Sequence, residues 1–514
     1  MVNEFLNKVQ DFYKNLEKLG RRREAFLVWG FFAVLVFGVV IFCGTLTSGF
    51  HLVDDWEFAQ YVDWMTLDHK SLWDCLEETV RYDLTLRFRP LYYINRILMA
   101  YVFGINLTAM SVVKAAEIVV ALAALYYCAR RMQCNMVYAM LFSLTVMVGY
   151  QSAVWWKLGP QESYDIMMFA VGFYLLLMWL ETGRRWFSLV SLFAFFLMSI
   201  YKEPFILLLP FVGLYVLYAE LKGERLTTGR LLAAVRRRLP YLLTLGVIFV
   251  VEMFLILFVV GTNNYSYVGL DESVTLEQYV QVWSAAAGNN LKWYVRFGTV
   301  LVMIFLTYWE QTKKLGREML LAVAIMLPQC ITYSKTALEE RYILPWVVGF
   351  AFFFVIVGCN FKPLSGKRRI VYMLCLILML AAHGRVMLRE AQYFAYRGRS
   401  ISTAFENTLE LVQGTDKRTL SCFGPNLEGN KTMYHWFRVH GYDEVFYWEE
   451  EEKKINRSFG PREDEQAPFE DMDVILMYNK EDRHWCYTPS LDLSDFTEIK
   501  CGTITMYVRG GADQ

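Results

Sequence analysis

The sequence predicts an all-α polytopic membrane protein of about eleven transmembrane helices, with a small extracytoplasmic α/β domain at its C-terminus. Three observations predict it. Of 514 residues, 56% are hydrophobic and 17% aromatic, while only 20% are charged, far from the usual soluble mixture. The apolar residues come in blocks close to the roughly 20 needed to cross about 30 Å of hydrocarbon. After about residue 390 the composition becomes that of a soluble domain. Lipid offers the backbone no hydrogen-bonding partner, so the spans must be helices. Net charge is zero, so no overall field points to nucleic acid or to a charged soluble partner.

The first apolar block, about 25–46, follows Arg21, Arg22 and Arg23. It is too long for a signal-peptide core and no small-residue cleavage site follows it, so it is predicted to be a retained span after a cytoplasmic segment, 1–24. Further spans are expected near 109–129, 136–154, 164–181, 186–201, 204–220, 240–261, 294–309, 317–333, 342–359 and 370–387. An odd number puts the termini on opposite sides. Basic pairs and triplets at Arg130 and Arg131, Arg184 and Arg185, Arg236 to Arg238, Lys313 and Lys314, and Lys367 to Arg369 fall in alternate loops. That is the positive-inside pattern of a chain whose N-terminus is cytoplasmic.

The outer face then receives the loops 47–108, 155–163, 202–203, 262–293 and 334–341. The longest sets Trp56, Phe58, Trp64, Leu67, Leu72 and Trp73 among acids and turn formers, which predicts helices lying along the interface. Within it, Leu91 to Gly104 is apolar but short and carries Asn95 and Arg96. It is expected to be re-entrant or interfacial, because a true span there would invert all later ones and move the basic clusters outside.

The membrane domain is expected over 25–389 and the soluble domain over 390–514. In the latter, Val474 to Tyr478 and Ile504 to Val508 read as strands and Ser402 to Val412 as a helix. The acidic runs Glu449 to Glu452 and Glu463 to Glu465 read as solvated surface. The ten cysteines form no CxxC pair and no Cys/His cluster of zinc spacing. If the tail is extracytoplasmic, a disulfide between Cys486 and Cys501 is open.

The residues suited to chemistry gather in the outer loops. Asp54 and Asp55 follow the first span directly. Adjacent carboxylates at a membrane edge suit a general base or a divalent cation, Mg or Mn, and equally suit a helix cap. Arg87-Phe88-Arg89-Pro90 offers forked donors for a phosphate, or cations that snorkel. Trp155 and Trp156, followed by Lys157 and Gly159-Pro160-Gln161-Glu162, pair sugar-stacking faces with a carboxylate; an aromatic belt accounts for the tryptophans equally well. Lys202 and Glu203 stand almost in the hydrocarbon, where ionisable groups usually face a polar cavity. Lys335, Glu340, Arg341 and Tyr342 precede a late span, and a cation there suits charge developing on a leaving phosphate.

The acidic pair after the first span, the Arg87-x-Arg89-Pro90 segment, Gly159 to Glu162, Lys202-Glu203, and Glu340-Arg341-Tyr342 with Pro345 together resemble the GT-C superfamily of polyprenyl-phosphate-sugar-dependent transferases. The pattern is similar to bacterial lipid A aminoarabinose transferases and protein O-mannosyltransferases, in architecture over about residues 25–390. The resemblance implies an inverting transferase, of hexose or pentose, and the absence of organelle signals favours a bacterial inner membrane. The transferase would move a sugar from a lipid-linked donor to a cell-envelope glycan or lipid. Carried over, Asp54 or Asp55 would deprotonate the acceptor or hold a metal. Arg87, Arg89, Lys202 and Arg341 would hold the donor phosphate. Glu162, with Trp155, Trp156, Glu203 and Tyr342, would contact sugar or acceptor. The chain lacks the Trp-Trp-Asp motif of oligosaccharyltransferases, which argues against protein glycosylation. A flippase, working through intramembrane Lys114, Glu117 or Glu252, and an envelope assembly scaffold are the alternatives.

Overall fold

The computed structural model describes residues 20–85, 87–260, 275–288, 291–333, 340–361, 366–424, 427–457, 466–483 and 489–510, with residues 4 and 8. Seven helices among these are long and apolar enough to cross a membrane: Arg21–Cys43, Leu107–Arg131, Glu162–Thr182, Glu203–Glu220, Thr228–Val260, Arg341–Asn360 and Ile370–Val412. A bent pair, Met136–Met147 with Tyr150–Trp156, makes an eighth if counted as one span. The other expected segments also form helices, Arg185–Ser199, Lys292–Thr307 and Gly316–Tyr333, of 15, 16 and 18 residues. The chain is therefore a multi-pass membrane protein; among the described residues seven or eight helices are full spans by length and composition, and the expected count of eleven is not reached on that criterion.

Outward-facing side chains make the same case. Phe26, Val34 and Phe42 are more than 70% exposed on the first span, and only 11% of the apolar window of Thr228–Val260 is buried. Unbroken apolar faces of this extent are stable only against lipid.

Ion pairs reveal which helix ends lie together. Arg130 holds Glu24, Arg131 holds Glu181, and Arg317 donates to the carbonyls of Leu221 and Glu224. These gather the basic ends of the bundle. At the opposite end the first loop folds into the helices Trp56–Thr66, Leu72–Asp83 and Pro90–Phe103. Ser71 and Asp74 form a capping box on the second, and Pro90 opens the third. The Pro90–Phe103 helix is too short to span and lies inside the first loop, as its length and polar residues predicted.

The helix Gly366–Val412 runs 47 residues without a break, through residue 390 and to the end of the helix expected over Ser402 to Val412. It leads into a six-stranded sheet of β1 (Thr419–Cys422), β2 (Val445–Glu449), β3 (Lys454–Arg457), β4 (Val474–Tyr478), β5 (Phe496–Cys501) and β6 (Ile504–Arg509). The strand order is β3-β2-β1-β4-β6-β5, with β1 parallel to β2 and β4 and the other pairings antiparallel. The helix Leu427–Val439 crosses from β1 to β2 as a parallel pair requires. Both expected strands are present, and the α/β character of the tail holds. Cys486 lies outside the described residues.

Candidate functional site

The site is built on a strained turn. Leu52 and Asp54 both have left-handed backbones, with φ of 52° and 53°, a conformation that costs a non-glycine residue energy and persists only when its surroundings enforce it. Two side chains enforce it here. The carboxylate of Asp55 is fully buried and accepts the backbone N–H groups of His51 (2.5 Å) and Val53 (3.1 Å). The guanidinium of Arg96, also fully buried, donates to the carbonyls of Asp54 and Gly159 and pairs with Glu57 at 2.5 Å. Tyr92 stacks on it, 4.2 Å from the ring centre. Gly159 has no alternative: a Cβ there would collide with the Val53 and Asp54 backbone.

The adjacent aspartates are thus turned to different work. Asp55 braces the turn; burial raises its pKa to about 6, against the opposing pull of the two N–H groups. Asp54 faces outward, 24% exposed, and pairs with Arg341. Burial pushes its carboxyl upward, but Arg341, then Lys202 and Arg96, outweigh it and hold it well below the ordinary range. The two carboxylates make different contacts, Asp55 with the His51 and Val53 N–H groups and Asp54 with Arg341. Among the described residues no group of three or more His, Cys, Asp or Glu is placed to hold a metal.

From Asp54 a line of alternating charge crosses the helix ends. Arg341 lies 3.6 Å from Glu162, and Glu162 pairs with Lys202. These residues come from the first loop, from the starts of the Arg341–Asn360 and Glu162–Thr182 helices, and from the link before Glu203. Of the expected donor-phosphate residues, Arg341 and Lys202 stand in this line. Arg89 instead pairs with Asp83 at 3.0 Å and donates to the Tyr93 hydroxyl at 2.7 Å. Arg87 lies half-buried beside it, its backbone N–H bound to the Asp83 carbonyl. The ring of Tyr342 lies 5.4 Å from the Arg341 guanidinium, and Glu203 is half-buried at the start of the turn Glu203–Leu208.

The tryptophans are elsewhere. Trp155 and Trp156 are buried in the bundle core, 2% and 3% exposed, and the Trp155 indole donates to the Met147 carbonyl. The buried residues tied to a transporter reading lie at this same end. Lys114 donates to the carbonyls of Lys157, Leu158 and Pro160, Ser163 donates to Glu117, and Ser199 to Glu252 at 2.9 Å.

Two contributors escaped the sequence reading. Glu428 comes from the C-terminal domain, and its carboxylate accepts the Asp54 backbone N–H at 3.1 Å. Burial, then the charge of Asp54, raises its pKa to about 8. The helix carrying it docks on Trp56–Thr66 through Asp63, which pairs with His435 (2.6 Å) and Arg438 (3.0 Å), and through Lys431 over the Trp56 ring. Nothing local in the sequence marks a contact spanning some 370 positions. Asp165 is the second: fully buried, with neither carboxylate oxygen hydrogen-bonded among the described residues. Its spacing of three from Glu162, which places both on one helix face, was the available signal.

No protein-family model and no curated protein sequence matches this chain. Among solved structures it is similar to ArnT from Cupriavidus metallidurans in the apo state, with a TM-score of 0.49 and 13% identity over 92% of this chain and 97% of that one. It is also similar to the Archaeoglobus fulgidus oligosaccharyltransferase in the apo form, with a TM-score of 0.45 and 9% identity over 80% of this chain and 63% of that one. A third is the arabinofuranosyltransferase AftD from Mycobacteria, with a TM-score of 0.41 and 12% identity over 96% of this chain and 40% of that one. The chain spans less than two thirds of the length of the last two.

Proposed function

We propose that the chain is an inverting glycosyltransferase of the GT-C type, taking a sugar from a polyprenyl-phosphate carrier and giving it to a cell-envelope glycan or lipid. In this reading the membrane is a bacterial inner membrane, the basic ends of the helices are cytoplasmic, and the C-terminal domain lies outside. The observation that carries it is the charge line Asp54, Arg341, Glu162, Lys202 at the helix ends remote from the basic loops, open on the Asp54 side.

The chemistry follows from the pairings. Arg341 and Lys202 are the cations within reach of a lipid phosphate, and a phosphate arriving at Arg341 competes with Asp54 for it. Losing that counter-charge lets the Asp54 pKa climb, so donor binding converts a weak base into a competent one. The acceptor hydroxyl then attacks the anomeric carbon while Asp54 takes its proton. The sugar–phosphate bond breaks with its electron pair passing to the phosphate, and the two cations stabilise the charge released. Glu162, freed from Lys202, orients hydroxyls.

The test is incubation of purified protein with a panel of polyprenyl-phosphate sugars, with and without chelator, following release of polyprenyl phosphate. Release that Asp54→Asn and Arg341→Gln abolish supports the reading. Release unchanged in both variants, or absent across the panel with acceptor extracts present, overturns it.

A further inference from the structure

At the basic end of the bundle, away from the proposed site, a cavity of about 1030 Å³ opens between the Arg21–Cys43, Leu107–Arg131, Glu162–Thr182 and Glu203–Glu220 helices. We infer that it holds an anionic membrane phospholipid, headgroup at the mouth and one acyl chain within. The inference stands independently of the proposed activity.

Charge is the first argument. Four cations line the cavity, Arg21, Arg130, Arg131 and Lys222, against two carboxylates, Glu24 and Glu181. Both carboxylates are taken: Arg130 holds Glu24 through two nitrogens at 2.6 and 3.2 Å, and Arg131 holds Glu181 at 2.5 Å. Arg21 acts on Glu24 only at longer range, and neither it nor Lys222 makes an ion pair within 4 Å of a carboxylate among the described residues, so four cations against two carboxylates leave the mouth an excess of positive charge. Basic pockets between spans at the cytoplasmic surface are the usual seats of anionic headgroups.

The walls decide between a lipid and a free anion. Below the cations lie Ala124, Val171, Leu175 and Leu177, faces of membrane-length helices suited to a hydrocarbon chain. Between the charged and apolar zones stands Tyr127, whose buried hydroxyl has no hydrogen-bond partner among the described residues. A polar group left unmet at that depth costs stability unless a ligand meets it, and the glycerol ester region of a lipid sits at the boundary between headgroup and chain. Trp29 at the rim is 42% exposed, as expected of an interfacial anchor.

The experiment is native mass spectrometry of the full-length protein in detergent, titrated with phosphatidylglycerol or with phosphatidylcholine of identical chains. Each cation near an anionic surface is worth a factor of roughly five, so phosphatidylglycerol should be retained at least about tenfold better. The Arg21→Glu, Lys222→Glu double variant should erase that preference. Arg230→Glu, on the same side but outside the cavity, should keep it. Ala124→Phe, which fills the cavity without altering charge, should lose both lipids while the melting curve shows a folded protein. Equal retention of the two lipids by wild type, undiminished preference in the double variant, or displacement of the lipid by inorganic phosphate alone would overturn the inference.

Discussion

Replacing the two adjacent aspartates one at a time should give opposite phenotypes. In Asp55→Asn the side chain presents an amide where the wild type presents two oxygens to the His51 and Val53 N–H groups. One charge-assisted hydrogen bond is lost at a fully buried position, a cost of about 1.5–3 kcal/mol. The cost should depend on pH. With its pKa raised to about 6 from an ordinary 3.8, Asp55 binds its proton more tightly folded than unfolded, so wild-type stability should rise as pH falls from about 6 towards 3.8 while the variant gains nothing, and the difference between them should widen over that range. Asp54→Asn should behave differently. Its ion pair is partly open to solvent, and its loss should cost at most about 1 kcal/mol. If Asp54 is the base, sugar transfer should fall by roughly 10²–10⁴-fold. Thermal melting of the purified variants from pH 5 to 9, beside the polyprenyl phosphate release assay, separates the two effects. Indistinguishable losses of stability and activity in the two variants would refute the division of labour, as would near-normal transfer by Asp54→Asn.

Three further outcomes follow from the same geometry. Arg96→Leu leaves Glu57 buried without its partner and should destabilise by about 3–5 kcal/mol, while the Arg96→Leu, Glu57→Leu double variant should recover much of that, as read by melting. Glu428 binds its proton more tightly folded than unfolded, so stability should fall as pH rises from its ordinary value of 4.5 to its folded value of about 8; Glu428→Gln should flatten that part of the stability–pH curve, and an unchanged slope would count against its burial beside Asp54. Trp155→Phe should lose the bond to Met147, about 0.5–1.5 kcal/mol, yet leave the KM for donor unchanged; a large rise in KM would put the ring against the sugar after all.

The helical segments and the two strands were legible because they depend on local periodicity and on basic clusters between apolar blocks. At Arg185–Ser199 and Lys292–Thr307 helices form close to the expected positions, of 15 and 16 residues, shorter than the roughly 20 residues that cross a bilayer upright. The site was legible as a neighbourhood and not as a mechanism. Asp54 and Asp55 are indistinguishable in sequence, and only the left-handed turn decides which one faces outward. Arg89 and Arg341 are both arginines before a proline-bearing helix start, yet one is committed to Asp83 and the other to the charge line. Trp155 and Trp156 sit beside a loop in sequence, but the bend at Gly149 folds their rings inward, an effect of tertiary packing on which composition is silent.

The uninterrupted helix from Gly366 to Val412 has a mechanical consequence. At 47 residues it is a rod of about 70 Å, with its lower part in the bundle and its upper part carrying the sheet. Gly398 lets this rod press directly against the Ser48 backbone, where a Cβ would collide, next to the turn that aims Asp54. A span and a lid joined by a flexible linker could tilt separately; here a tilt of one is a tilt of the other, with its fulcrum at the first loop.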